Sequence, residues 1–341
     1  MLNFALIGAG RIGVSHASLI ANHPRARLAA VIDADAKAAA SLASRFSAAT
    51  MNWAEALADP AIDAMLIASS TDTHAGFIED AARAGKAILS EKPIDLSLDR
   101  IDRCGAVVTE TKARLMVGFN RRFDPHIASL KARLDDEAIG RASQILIINR
   151  DAGAPPPEFL RRSGGIFRDM AIHDYDLACH LFGAAPVAVH AQGSALVDPG
   201  AASCGDYDTA LTVLTMADGA QAMIANARCA RFGFDFRLEV LGAKGVLRLD
   251  NPRETTLIEA DAAGVRQAKP PQNFFARFET AFARQLDAFI DAIIAGHSPP
   301  SDFADGRTAS AIAEAAAKSA TTGTPILLDR KDGLIILKLQ K

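Results

Sequence analysis

This sequence predicts a doubly wound, Rossmann-type α/β domain followed by a second, α+β domain, on three observations. In the first 120 residues short apolar runs alternate with Ala-rich stretches of helical spacing. A G-x-G-x-x-G cluster stands at the end of the first run. Past about residue 121 the texture changes to short strands with turn signals between neighbours.

The runs NFALIGAG, RLAAVIDAD, DAMLIASS, KAILSEK and ARLMVGFN are apolar throughout rather than alternating. Strands of that kind are covered on both faces, which is the mark of a parallel sheet between helices. Helices are expected between them, as at 35–46 and 74–85. Residues 1–120 are therefore read as the doubly wound domain, and 121–341 as the second, α+β domain. In the second part ASQILIINRD, VAVHAQGSALV, YDTALTVLTMA, AQAMIANARCA, FRLEVLGAKG, GVLRLD and TTLIEA read as strands of a large, mostly antiparallel open sheet. Helices are expected at 123–135, 167–182, 274–296 and 304–321. GAPPPEF is read as a loop, since consecutive prolines disfavour helix and interior strand alike.

The chain has 341 residues, half of them hydrophobic and 23% charged, as in ordinary globular proteins. Lys and Arg number 37 against 40 Asp and Glu, and a nucleic-acid binder would show a basic excess. No apolar run reaches the roughly 18–20 residues that cross a bilayer. MLNFALIGAG has neither a basic leader nor a small-residue cleavage site, so a cytoplasmic protein is expected. Cys104, Cys179, Cys204 and Cys229 are widely spaced, and buried thiols in a reducing compartment are expected of them.

GAGRIG supplies Gly8, Gly10 and Gly13, with Arg11 and Ile12 between them, and RIGVSHASLIANH continues as a helix. The second strand ends in an acid, Asp33, 25 residues after Gly8. The first glycine of such a fingerprint allows a tight turn, the second lets backbone approach a pyrophosphate, and the third lets helix and strand pack closely. The pyrophosphate meets free N–H groups at the helix N-terminus. Asp33 is suited to bond both ribose hydroxyls and to repel a 2′-phosphate, which favours NAD over NADP. A purely structural glycine turn is the alternative.

SGGIFRDMAIHDYD, residues 163–176, sets Asp169, His173, Asp174 and Asp176 among apolar neighbours. On a helix Asp169 and His173, four apart, share a face. Oxidising an alcohol removes a hydride and a proton, and a neutral imidazole suits the proton. A nearby carboxylate orients the ring and stabilises the imidazolium. Lys92 brings positive charge to a developing alkoxide. Three alternatives stand beside this: a buried His173–Asp169 pair that only satisfies itself, a metal site from His173, Asp176 and His180, and a plain strand-end lysine at 92. No metal is expected. Asp174 and Asp176 are read as structural.

EKP (Glu91–Pro93), GFNRRFDP (118–125) and SGGIFRDMAIHDYD together resemble the signatures of the Gfo/Idh/MocA oxidoreductase family over nearly the whole chain. NRDAGAPPPEF (149–159) before GGIFRDMAIHDYD resembles its inositol 2-dehydrogenase branch. The resemblance implies that Lys92 reaches the reacting hydroxyl and the nicotinamide ribose, that Glu91 contacts the cofactor, and that Asp169 and His173 complete the catalytic set. It places Ser70, Thr71 and His74 at the ribose and nicotinamide side, and Asn120, Arg121 and Asp151 in the substrate pocket with Asp169 and His173. It also implies NAD-dependent oxidation of a secondary hydroxyl of a cyclic polyol, myo-inositol to its 2-ketone, in a dimer or homotetramer built through the second domain's sheet. The pocket is expected at the carboxyl ends of the first domain's strands.

The sequence departs from that branch at Phe232, Phe234, Phe278 and Phe282, where relatives often carry tyrosines; the whole chain has 2 Tyr and 17 Phe. A lost phenol removes a hydrogen bond to a substrate hydroxyl. Two other readings are an NAD(P)-dependent sugar dehydrogenase or reductase acting on an aldose, keto-sugar or other inositol isomer, and a non-catalytic dinucleotide sensor. A sensor has use for Gly8–Gly13 and Asp33 but none for Lys92, Asp169 and His173 together.

Overall fold

A computed structural model describes residues 1–331 and 333–338. The chain forms two compact units: Met1–Phe123 with Thr280–Ser310, and a second that runs from Asp124 to Glu279 and resumes at Ala311.

The first unit alternates β1 (Leu2–Ile7), α1 (Arg11–Ala21), β2 (Ala26–Ile32), α2 (Ala36–Arg45), β3 (Ala49–Thr50), α3 (Trp53–Ala58), β4 (Ala64–Ile67), α4 (Thr71–Arg83), β5 (Ala87–Ser90), α5 (Leu98–Thr111) and β6 (Leu115–Val117). The strands pair in parallel in the order β3-β2-β1-β4-β5-β6. This is the doubly wound order, and it reverses beside β1, between β1 and β4. Phe4, Leu6, Met65 and Leu66 are fully buried, as the unbroken apolar runs require. Sequence reasoning left out α3, α5 and the two-residue β3.

The second unit holds α6 (Pro125–Asp135), β7 (Ala142–Arg150), α7 (Pro157–Ser163), α8 (Ile172–Phe182), β8 (Ala188–Ser194), α9 (Pro199–Ser203), β9 (Thr209–Thr215), β10 (Gln221–Ala227), β11 (Asp235–Gly242), β12 (Gly245–Leu249), and the hairpin β13 (Ile258–Asp261) and β14 (Gly264–Gln267). Helices α10 (Phe274–Ala295) and α11 (Phe303–Thr322) follow, then β15 (Ile326–Lys331) and β16 (Leu334–Leu337). The eight-stranded sheet runs β12-β11-β7-β10-β9-β8-β15-β16. Of its pairings β7 with β10 is parallel, and the remaining described pairs are antiparallel. One face is sealed: Ile145, Ile147, Ala222, Ile224 and Leu238 are 2% exposed or less. Helix α8 is tied to that face, because the Asn149 and Asn226 amides, each at 2.8 Å, donate to the Asp174 carboxylate and Tyr175 bonds Thr212.

Three expectations change. Pro157 opens α7 rather than prolonging the loop, since proline is tolerated at the first helical position, where its missing N–H has no partner to lose. The helix expected at 167–182 begins as a π-turn, Phe167–Ala171, before α8. Residues 280–310, read with the second domain, belong to the first unit. Leu286, Phe289, Ile290 and Ile293 on α10 join the apolar cluster of Phe4, Leu6, Leu28 and Val31. Each such side chain stabilises the packing by about 1.5–3 kcal/mol, and α10 loses helical dihedrals at Phe278, just before the division.

Candidate active site

In the first unit the candidate residues cluster at the carboxyl ends of β1, β2, β4 and β5. Gly8 turns at φ +103°, and a Cβ there would lie 2.4 Å from the Ala68 carbonyl oxygen. A Cβ on Gly13 would lie 1.9 Å from the Gly8 oxygen, whereas one on Gly10 would meet nothing within 4 Å. The turn is therefore crowded where chain meets chain and open at Gly10, the N-cap of α1. No side chain caps α1 and no acid sits in its first turn. Its N-terminus thus offers an anion both unclaimed N–H groups and the positive end of the helix dipole. The Asp33 carboxylate accepts from the Ala9 N–H at 2.6 Å and the Asp35 N–H at 2.8 Å, one on each oxygen. Each oxygen keeps a second lone pair for a ribose hydroxyl. A dinucleotide's pyrophosphate and ribose fit these residues.

The Glu91-Lys92-Pro93 stretch leaves β5 beside that turn. Glu91 is buried, and its Oε1 lies 2.8 Å from His16 Nε2 on α1. Burial alone raises the Glu91 carboxyl, but the His16 hydrogen bond and the nearby positive charges outweigh it and hold the group below its ordinary value. Gly118 after β6 lets that strand approach; a Cβ there would lie 3.0 Å from Glu91 Oε2. His74 is buried on α4, with Nδ1 at 2.8 Å from the Pro93 oxygen and Nε2 at 3.1 Å from the Ser69 oxygen. Burial pushes its imidazole down in pKa. Glu91 and His74 thus face inward and brace the loop that carries Lys92. Lys92 itself is half-buried, Ser70 is the N-cap of α4, and Thr71 begins the helix. Asn120 and Arg121 are buried on a 3-10 turn after β6.

In the second unit Gly164 and Gly165 both take left-handed dihedrals, at φ +83° and +82°. They lead into the π-turn that carries Asp169, and His173 follows in the first turn of α8. π-Turns recur at functional sites, and both side chains are half-buried. Arg228 is wholly buried, with Nη1 3.2 Å from Asp169 Oδ2 and Nη2 3.4 Å from Asp206 Oδ2. Asp206 Oδ1 in turn accepts the N–H groups of Ile166 at 2.9 Å and Tyr207 at 2.8 Å. Asp151 follows β7 with its backbone bonded to Ala227 and Ala230. Asp174 and Asp176 are buried, and the two amides on Asp174 give it the structural part expected of it.

Three of the four departing phenylalanines lie in packed interior. Phe234, Phe236 and Phe278 stack edge to face, and Phe282 meets the His16 ring. Phe232 alone of the four is exposed, at 48%. The Phe234 ring is thus spent on the core. Among the cysteines only Cys104 is buried, its thiol pushed up to about 12 by burial; the other three are half-buried, and none of the four is in a disulfide. Among the described residues no group of three His, Cys, Asp or Glu side chains is disposed to hold a metal, and no helix is long and apolar enough to cross a membrane.

Sequence reasoning missed His16, Asp206 and Arg228. His16 left a signal: it lies on the α1 stripe of Gly13, Ala17 and Ile20 that packs inward. Asp206 and Arg228 left none, because their partners are distant in the chain.

Residues 2–119 match the family model described as an oxidoreductase family with an NAD-binding Rossmann fold, and residues 127–248 match the C-terminal domain model of the same Gfo/Idh/MocA group. An inositol 2-dehydrogenase of Rhizobium meliloti is 44% identical over 93% of this chain and 96% of its own. A crystal structure of a myo-inositol dehydrogenase from Corynebacterium glutamicum is 37% identical with TM-score 0.93, covering 97% of this chain and all of that one. A scyllo-inositol dehydrogenase from Lactobacillus casei, solved with NAD(H) and scyllo-inositol, is 26% identical with TM-score 0.88 over 96% of this chain and 99% of that one.

Proposed function

The chain belongs to the Gfo/Idh/MocA family of NAD-binding oxidoreductases, and from that membership we propose that it oxidises one secondary hydroxyl of an inositol to the ketone, as an inositol 2-dehydrogenase. The observation that carries the substrate class is the 44% likeness, over 93% of the chain, to a protein of that name. The candidate lining supports it. Lys92, Asn120, Arg121, Asp151, Asp169 and His173 all carry groups able to bond hydroxyls, and the carboxylates among them would oppose an anionic 2-hydroxy acid.

NAD, when bound, accepts the hydride. This chain's residues do the rest. Gly8, Gly10, Arg11, Ile12 and Gly13 present backbone to the pyrophosphate, and Asp33 takes the ribose hydroxyls. Ser70 and Thr71 line the nicotinamide side, while Glu91 and His74 hold the loop that aims Lys92. His173 takes the hydroxyl proton, Asp169 orients the imidazole and stabilises its protonated form, and Lys92 stabilises the oxygen as negative charge develops.

The protein is further read as a cytoplasmic homo-oligomer. The outer face of the eight-stranded sheet sets Leu211 and Met223, on the neighbouring strands β9 and β10, at 51% and 46% exposure, and Leu241 on β11, beyond β7, at 44%; exposed apolar surface of this kind marks partners. A dimer or tetramer by light scattering at micromolar concentration is expected.

The functional test is a ranking of kcat/KM over myo-, scyllo- and chiro-inositol, glucose, galactose, xylose, lactate and malate with NAD, read at the reduced-nicotinamide absorbance. An inositol should lead. Turnover of an aldose with no inositol oxidised would overturn the substrate assignment, and lactate or malate in first place would overturn the reading of the pocket.

A further inference from the structure

We infer that Arg228 is a positioning residue for the oxidation: through a buried ion pair anchored on Asp206 it fixes the Asp169 carboxylate. The inference rests on the part given to Asp169 above.

Arg228 follows β10 directly, and its side chain is 0% exposed. Its two terminal nitrogens reach two different carboxylates, Asp169 on the π-turn and Asp206 before β9. Exposure is graded along this triad: 0% for Arg228, 6% for the Asp206 side chain and 20% for that of Asp169. The sealed pair is the base, and Asp169 is the end that other groups reach.

Asp206 is held from two directions. Its Oδ1 accepts N–H groups from Tyr207, beside it, and from Ile166, the residue before the π-turn. Gly165 is what lets the chain pass so close, since a Cβ there would lie 2.8 Å from Asp206 Oδ1. The same carboxylate therefore fixes where the π-turn starts and where the guanidinium sits, and the guanidinium fixes the carboxylate three residues into that turn.

Stability gives a weak reason for such an arrangement. Removing three charges from water costs about as much as their attraction returns, and packed apolar side chains often do as well or better. A guanidinium offers what apolar packing does not, a rigid planar fork that sets the direction of a carboxylate. A lysine at the same place has one nitrogen and cannot span both partners in that way.

The experiment compares R228K, D169N and the double variant with wild type, using NAD and, in parallel, myo- and scyllo-inositol. It records kcat per folded protein, KM for the inositol, the dissociation constant for NADH by fluorescence, and the melting temperature. R228K should lower kcat by roughly 10–100-fold, the scale of a misplaced catalytic group. KM and NADH affinity should stay within about threefold, a split that loss of uniform binding would not give. In the D169N background R228K should cost less than about threefold more, because its effect passes through Asp169. A kcat for R228K within about threefold of wild type, or the same loss with and without Asp169, makes Arg228 structural and overturns the inference. If R228K does not fold, D206N carries the test, since the amide keeps one oxygen for the backbone N–H groups. Its kcat loss should be smaller, in the same direction, and absent beside D169N; a wild-type kcat overturns the inference. Wild-type turnover in D169N itself would sink the reading of Asp169, whereas an impaired D169N with a silent R228K sinks the inference alone.

Discussion

Gly10 and Gly13 lie three residues apart in one turn, and alanine should act on them in opposite ways. At Gly13 the new methyl would stand 1.9 Å from the Gly8 carbonyl oxygen, a backbone atom that cannot swing aside. Helix α1 must retreat by about 1 Å, and overpacking of this kind costs about 1–3 kcal/mol. For a unit of this size that lowers the melting temperature by about 3–10 °C. At Gly10 the backbone is extended, at φ −72° and ψ −173°, and the new methyl meets nothing within 4 Å. Stability should then stay within about 1 kcal/mol of wild type. The methyl does occupy the approach to the α1 N-terminus. Losing one charge-assisted hydrogen bond there costs about 1.5–3 kcal/mol, which is roughly 10–150-fold in the NADH dissociation constant. Thermal melts and NADH fluorescence titrations of G10A and G13A separate the two effects. A G10A protein that binds NADH as tightly as wild type would refute the assignment of Gly10 to the pyrophosphate, and an undiminished melting temperature in G13A would refute the packing argument.

Three further outcomes are expected. D33S combined with A34R should move preference from NAD toward NADP, by removing the carboxylate that repels a 2′-phosphate; equal use of both cofactors by the wild type would contradict this. H173N should cut turnover by about 10²–10⁴-fold with NADH affinity near wild type, and unfolding in place of that loss would mark His173 as structural. Burial holds the His74 imidazole below its ordinary value of 6.5, so the unfolded chain takes up this proton first as pH falls. The contribution to stability is full above about pH 6.5 and is lost on acidification below it. Melting temperatures from pH 8 to 5.5 should fall more steeply for wild type than for H74Q, and equal slopes would exclude the linkage.

The sequence by itself determined the elements whose signals are local. Unbroken apolar runs named the parallel strands, the glycine spacing named the dinucleotide turn, and Asp33 at the end of β2 lies where its distance from Gly8 placed it. The cluster from Gly164 to Asp176 was legible as a polar stretch on an apolar wall, and Asp174 as a structural acid. These follow from periodicity and backbone chemistry, which neighbours in the chain decide.

Only the tertiary structure decided what depends on distant partners. Helix α10 looks like any amphipathic helix in sequence, and what gives its 280–295 part to the first unit is the set of residues it meets near β1 and β2. Phe234 and Phe278 resembled lost phenols of a pocket until their edge-to-face packing put them in the core. His16 and Glu91 are 75 residues apart, and Arg228 is 59 from Asp169 and 22 from Asp206. Ion pairs and hydrogen bonds act over a few ångströms of space whatever the separation along the chain. A charged residue after an apolar strand carries no local mark of the carboxylate it will hold.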